Sequence, residues 1–63
     1  MRFAIGQKYE SKKHPHKIAE VLQLDDEGRK AWVDVRDADG ALLDSAWVVY
    51  SQFSENWTLI WAQ

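Results

Sequence analysis

The residues of this chain that could carry chemistry are carboxylates, two histidines and many aromatic rings. The chain has no cysteine, which excludes thiol nucleophiles, disulfides and zinc ribbons. It has no Gly-x-Ser-x-Gly sequence, and three glycines are too few for a phosphate-binding loop. Asp25 and Asp26 are adjacent, but a carboxylate exposed in a turn lacks the burial that would make it a base at neutral pH. The sequence therefore predicts a protein that is not an enzyme.

The sequence His14-Pro15-His16 is the one pattern that suggests a metal site. Two imidazoles so spaced can reach one ion, but Lys13 and Lys17 flank them and oppose the entry of a cation. A calcium loop aligned on Gly40 would need oxygen ligands at positions 35 and 46, which hold valine and alanine. We therefore expect no metal and no other cofactor.

The aromatic residues are the strongest functional signal, because four Trp, two Tyr and two Phe make 13% of the chain. Successive residues of a strand face opposite sides, so inward valines in Lys30–Arg36 turn Trp32 outward. Inward Ala46 and Val48 turn Trp47 outward in the same way. Exposed tryptophans mark interfaces, although the same rings could pack together as a second small core. The predicted protein-binding residues are Trp32, Trp47 and Trp61, with Asp34, Arg36 and Asp44 as a polar rim.

Nucleic-acid binding is the alternative. Residues 1–17 hold five basic side chains and one acidic one, whereas residues 18–63 hold three basic and nine acidic. Basic side chains beside an aromatic ring can bind phosphates and stack bases. The net charge of −2 and the isoelectric point near 5.5 argue against it. The residues of this alternative site are Lys8, Tyr9, Lys12, Lys13, His14, His16 and Lys17.

The elements that must position these side chains are short strands. Apolar alternation, with β-branched and aromatic residues, predicts five of them and no long helix. Asp39-Gly40 between apolar runs indicates a hairpin, and a slip in phase near Val21 and Leu22 indicates a bulge. Residues 51–56 predict one helical or 3₁₀ turn. The predicted strands are residues 17–24, Lys30–Arg36, residues 42–50, Trp57–Trp61, and a first strand broken at Gly6 into residues 3–5 and 8–10. The fold class is all-β: one small five-stranded antiparallel barrel domain over residues 1–63.

The opening Ile5-Gly6-Gln7-Lys8-Tyr9 and the closing run from Tyr50 to Ile60 resemble the small Src-homology-3-like barrel proteins of phages, prophages and bacterial genomes. The resemblance spans nearly the whole chain. It implies a five-stranded barrel that acts as a binding module, often of unassigned role. The Ala-Leu-Tyr-Asp-Tyr opening of the peptide-binding members is absent, so the resemblance does not imply recognition of polyproline.

Together these observations predict a protein-interaction module, with self-association through the aromatic face as its simplest form. A nucleic-acid-binding barrel is the alternative. A further one is a phage-encoded inhibitor of a host protein, whose acidic turns at residues 25–27 and 37–39 imitate nucleic acid. No apolar run reaches the roughly 18 residues of a membrane helix and no signal-peptide core follows Met1. We therefore expect a cytoplasmic protein with no membrane or small-molecule partner.

Overall fold

The computed structural model describes residues 2–62. Five antiparallel strands form one sheet in the order β4-β3-β2-β1-β5, and one helical turn precedes the last strand. The all-β class, the five antiparallel strands and the helical turn are thus confirmed. The elements are β1 (Lys8–Ser11), β2 (Ile18–Leu24), β3 (Lys30–Arg36), β4 (Leu42–Val49), α1 (Tyr50–Phe53) and β5 (Trp57–Trp61).

The first strand differs from its prediction. Residues 3–5 lie outside β1, which begins at Lys8. They are held by other contacts: the Phe3 N–H donates to the Gly28 carbonyl at 3.0 Å, and the Ala4 N–H donates to the Gln7 side-chain oxygen at 2.9 Å. The prediction of a strand over residues 3–5 was therefore wrong, because Phe3 serves as a core residue on a connecting segment.

Alternation along β3 sets the two faces of the sheet. Ala31 and Val33 are buried and Val35 is half-buried, while Trp32 and Asp34 point to the other side. The β-branched residues fill the interior because they pack well on a pleated surface. The geometric condition that turns Trp32 outward is therefore met.

Three bulges bend this small sheet. The register shifts in the β2–β3, β3–β4 and β1–β5 pairings each leave one residue without a partner. The unpaired residues are Leu22, Leu43 and Ile60. The bulge at Leu22 was predicted from the slip in phase and is confirmed. Bulges increase local twist, which lets a short sheet wrap around a core.

An aromatic cluster forms that core together with small aliphatic residues. Phe3, Tyr9 and Phe53 are buried, and each ring meets the other two edge to face at centroid distances of 5.2 to 5.9 Å. Tyr50 contacts Phe3 at 5.0 Å, and Trp57 stacks on Phe53 at 5.0 Å and 7°. Five of the eight aromatic rings therefore belong to the core, and three tryptophans lie outside it.

The two turns that follow β2 and β3 are held by their own carboxylates. Gly28 and Gly40 have φ of 73° and 85°, a conformation that glycine adopts without strain. The Asp25 carboxylate accepts hydrogen bonds from the Arg29 and Lys30 N–H groups at 3.0 and 3.3 Å. Partial burial alone would raise the pKa of Asp25, but these backbone hydrogen bonds outweigh it and hold that pKa below its usual value.

Candidate functional site

The outer side of β3 and β4 carries most of the predicted protein-binding residues. The antiparallel register places Trp32 opposite Trp47, Asp34 opposite Ser45, and Arg36 opposite Leu42. Residues directly opposite each other in such a ladder have Cβ atoms about 4.5–5.5 Å apart. We call the surface formed by Trp32, Asp34, Arg36, Ser45 and Trp47 the Trp face.

The two indoles of the Trp face pack against each other and one of them remains open to solvent. Their ring centroids are 5.9 Å apart and their planes lie at 70°, an edge-to-face contact. Trp47 keeps 51% of its surface exposed, whereas Trp32 is half-buried. The rings are therefore partly a small second core and partly an accessible surface. Trp32 supports Trp47, and the Trp47 ring is the one accessible from solvent.

Polar contacts fix the side of the Trp face next to the indoles. The Ser45 hydroxyl donates to the Asp34 carboxylate at 2.7 Å. The Arg36 guanidinium lies 3.7 Å from the other Asp34 oxygen and donates to the Gly40 carbonyl at 3.0 Å. Asp34 and Arg36, which the sequence predicts as rim residues, thus lie together on the outer side of the sheet, and Ser45 lies beside them.

Asp44 does not belong to this rim. Its register partner is Val35, which points to the interior side of the sheet, so Asp44 leaves its strand on the side away from Trp47. Its carboxylate accepts a hydrogen bond from the Ser45 N–H at 2.8 Å. The prediction for Asp44 was wrong in geometry, because Asp44 and Trp47 are three residues apart and a strand alternates with a period of two.

Trp61 does not join the other two tryptophans. It lies on β5, the edge strand opposite β4, with β1, β2 and β3 between them. The β-bulge at Ile60 pairs Trp61 with Lys8, and the Lys8 ammonium lies 5.7 Å from its ring centroid, a cation–π contact. The prediction that groups Trp61 with Trp32 and Trp47 was therefore wrong, although Trp61 is exposed at 49%.

Aliphatic side chains extend the Trp face along β4, and the predicted binding residues did not include them. Leu42, Leu43 and Val49 are exposed, and Leu42 and Val49 occupy outer register positions opposite Arg36 and Lys30. The signal was the composition of β4, whose eight residues include one charge, at Asp44. A strand with water on one face normally alternates apolar and polar residues, and β4 does not.

In the alternative, basic site, the predicted aromatic residue, Tyr9, is buried. Tyr9 is 3% exposed and its hydroxyl donates to the Gln7 side-chain oxygen at 3.1 Å. Burial raises the pKa of Tyr9, and the nearby Tyr50 raises it further. The prediction that Tyr9 stacks on bases was therefore wrong, because its ring lies inside the aromatic core.

The basic loop itself is exposed and compact. Lys12, Lys13, His14 and His16 are exposed and Lys17 is half-buried. The hydroxyl of buried Ser11 accepts a hydrogen bond from the His14 N–H at 3.1 Å. The Lys12 N–H donates a hydrogen bond to the Asn56 carbonyl at 2.8 Å, and this bond ties the loop to the start of β5. Within residues 2–62, no three His, Asp or Glu side chains are grouped in a way that could hold a metal ion.

In the described part of the chain, no helix is long and apolar enough to cross a membrane. No protein-family model, curated protein or solved structure matches this chain. The function therefore has to be argued from the two surfaces described above.

Proposed function

We propose that this protein is a non-enzymatic protein-interaction module whose binding surface is the Trp face. The observation that carries the proposal is Trp47, which is half exposed and yet held in place by Trp32. A ring that is already ordered loses little side-chain entropy on binding. Large aromatic rings of this kind are the usual energetic centres of protein interfaces.

The surroundings of Trp47 support the same function. Leu42, Leu43 and Val49 add exposed apolar surface on the same strand, and contiguous apolar surface of this kind marks interaction sites. Asp34 and Arg36 supply a polar border whose hydrogen bonds are already made. An apolar centre with a polar rim is the usual arrangement of an interface between proteins.

Site-specific photo-crosslinking tests this proposal. A photo-reactive phenylalanine analogue replaces Val49, beside Trp47, and a matched variant carries it at Thr58 on β5. We expect position 49 to form a protein adduct of discrete mass. Trp47→Ser should abolish this adduct, and circular dichroism should show that the Trp47→Ser variant is still folded. Equal adducts from both positions, or an adduct that survives Trp47→Ser, contradict the proposal.

A second candidate function is nucleic-acid binding on the β1–β5 side. The observation that favours it is Trp61, whose exposed ring lies beside Lys8. The hydrogen bond from Lys12 to Asn56 keeps the basic loop next to the same strand. An exposed ring beside cations is the usual platform for single-stranded nucleic acid, and Trp61 takes the place that the sequence had suggested for Tyr9.

A salt series tests this second candidate. Binding to mixed single-stranded DNA and RNA should weaken steeply as salt increases, because phosphate contacts release counterions. Trp61→Ala should weaken binding further, and Trp47→Ala, the matched control on β4, should not. Absence of binding at low ionic strength contradicts the candidate.

The acidic turns bear on the third alternative, an inhibitor that imitates nucleic acid. The carboxylates of Asp25 and Asp37 are each used within their own turns, where they accept hydrogen bonds from backbone N–H groups. Asp26 and Asp39 are exposed and remain available to a partner. Imitation of nucleic acid stays a prediction of the sequence.

A further inference from the structure

Strand β4 has an open edge. Within residues 2–62 its hydrogen-bonded strand neighbour is β3 alone. The Tyr50 N–H donates to the Arg29 carbonyl at 2.8 Å, and the β3–β4 register continues without a shift from there to Val35. Backbone groups of successive strand residues point alternately to the two sides of the strand. Trp47 and Val49 therefore direct their N–H and C=O groups away from β3, toward the open edge.

The second half of this edge, residues 45–49, is less protected against pairing than its beginning. Residues 45–49 contain no charged residue and no proline, and they are β-branched or aromatic at three of five positions. Proteins usually protect an exposed edge with lysine, proline or a covering segment. The protections of β4 lie before this stretch: the bulge at Leu43, and Asp44, which is on the interior side and whose carboxylate holds the Ser45 N–H.

We propose that the partner of the Trp face is a second copy of this chain, joined by antiparallel pairing of β4 with β4 about Trp47. The inference rests on the proposed function and specifies its partner. Trp47 faces the partner's Trp47, and Ser45 faces the partner's Val49. The pairing places Trp32 and Trp47 in one row with the partner's Trp47 and the partner's Trp32. A two-fold arrangement of this kind closes on itself and buries the same patch on both copies.

Charge complementarity favours this register. On the outer side, Lys30 lies opposite Val49 and Asp34 lies opposite Ser45. Pairing about Trp47 therefore aligns the Asp34 row of one copy with the Lys30 row of the other, and the two-fold symmetry repeats this alignment. The two charged positions of each row lie three strand spacings, about 14 Å, apart, with Ser45 and the partner's Val49 between them. Their attraction therefore acts at low ionic strength and favours this register over one that aligns like charges.

The same comparison of charges disfavours self-pairing of β5. Lys8 lies opposite Trp61 at one end of β5, and Lys12 is bonded to Asn56 at the other. Antiparallel pairing of two β5 strands would align the basic Lys8 end of one copy with the basic Lys12 end of the other, so these ends would gain no attraction between opposite charges. The β4 dimer has a short ladder and buries less than the roughly 800 Å² per partner of a standard interface. It should therefore dissociate on dilution.

Sedimentation velocity from micromolar to millimolar concentration tests the dimer with two matched variants. In Val49→Glu the new carboxylate faces Lys30 within its own chain but joins the row of the partner's Asp34. In Trp61→Glu the new carboxylate lies on the other edge strand, β5, and faces Lys8 of β1. We expect Val49→Glu to weaken dimerisation about tenfold or more and Trp61→Glu to leave it within about twofold. A wild-type chain that stays monomeric at every concentration overturns the inference.

Hydrogen exchange separates this inference from the proposed function. The N–H groups of Trp47 and Val49 should exchange slowly at high concentration and fast at low concentration, because only the dimer pairs them. If a dimer forms and Trp47→Ala weakens it while these N–H groups still exchange fast, the Trp face binds face to face. The edge pairing is then overturned and the proposed function stands. A dimer that responds to Trp61→Glu and not to Val49→Glu overturns both.

Discussion

The two edge strands, β4 and β5, each expose a tryptophan to almost the same extent, but the surroundings of the two rings differ. Trp47 on β4 is 51% exposed and Trp61 on β5 is 49% exposed. Trp47 rests on another indole, in an apolar strand, whereas Trp61 lies beside the Lys8 ammonium at the basic end of the molecule. The exposed fraction of a ring therefore does not indicate its partner. We propose that the neighbours of each ring set its partner: the apolar strand around Trp47 suits a protein, and the Lys8 ammonium beside Trp61 suits phosphate.

The largest expected effect lies within β5, where Trp57 and Trp61 differ in burial. Trp57 is half-buried and stacks on Phe53 in the core, so Trp57→Ala should lower the free energy of unfolding by about 3 kcal/mol. Trp61→Ala should lower it by less than about 1 kcal/mol. Urea unfolding of both variants measures the difference. Similar losses would show that the bulge at Ile60 does not separate the two rings.

The next effect concerns the indole pair of β4. A double-mutant cycle with Trp32→Ala and Trp47→Ala should give a coupling free energy of about 1 kcal/mol. Either substitution alone removes the edge-to-face contact between the rings, so the second substitution loses nothing more from it. Both single variants should remain folded by circular dichroism. Unfolding of Trp32→Ala alone would mean that Trp32 is part of the main core rather than the support of Trp47.

A smaller coupling is expected for the corresponding pair on β5. A cycle with Lys8→Gln and Trp61→Ala should give about 0.5 kcal/mol. This value should decrease at 1 M salt, where the screening length of about 3 Å is shorter than the 5.7 Å between the Lys8 ammonium and the Trp61 ring centroid. The coupling of the two indoles should not respond to salt. A salt-independent coupling between Lys8 and Trp61 would remove the electrostatic distinction between the edges.

The smallest effect is the response of two loop contacts to acid: that of Asp25 in the turn after β2, and that of Ser11 in the basic loop. The pKa of Asp25 is lowered in the folded state, so its contribution is present above its unfolded pKa and is lost as the pH falls through the folded one. Asp25→Asn should therefore destabilise the chain at pH 7 and make no difference in strong acid. Ser11→Ala, which removes the hydroxyl that holds the basic loop, should cost the same at both pH values. Urea unfolding at neutral and acid pH compares the two, and a pH-independent loss in Asp25→Asn contradicts the assignment.

Local patterns in the sequence predicted what lies within one strand or one turn. The alternation in Lys30–Arg36 gave the inward valines and the outward Trp32, and the slip near Leu22 gave its bulge. Asp39-Gly40 marked the β3–β4 hairpin. Counting by twos from Trp47 could also have placed Asp44 on the other side of β4. These features follow from the period of two and from the allowed dihedral angles of single residues.

What the sequence determined by itself is therefore the strand class, the order of the elements and which side chains of one strand share a face. Tertiary structure alone decided which strands lie at the edges of the sheet and which side chains contact each exposed ring. The bulge at Ile60 reverses the direction of Trp61, and the burial of Tyr9 depends on Phe3 and Phe53 arriving from distant segments. The physical reason is that register and ring packing depend on pairing between residues far apart in the chain, and one extra residue in a strand exchanges its two faces.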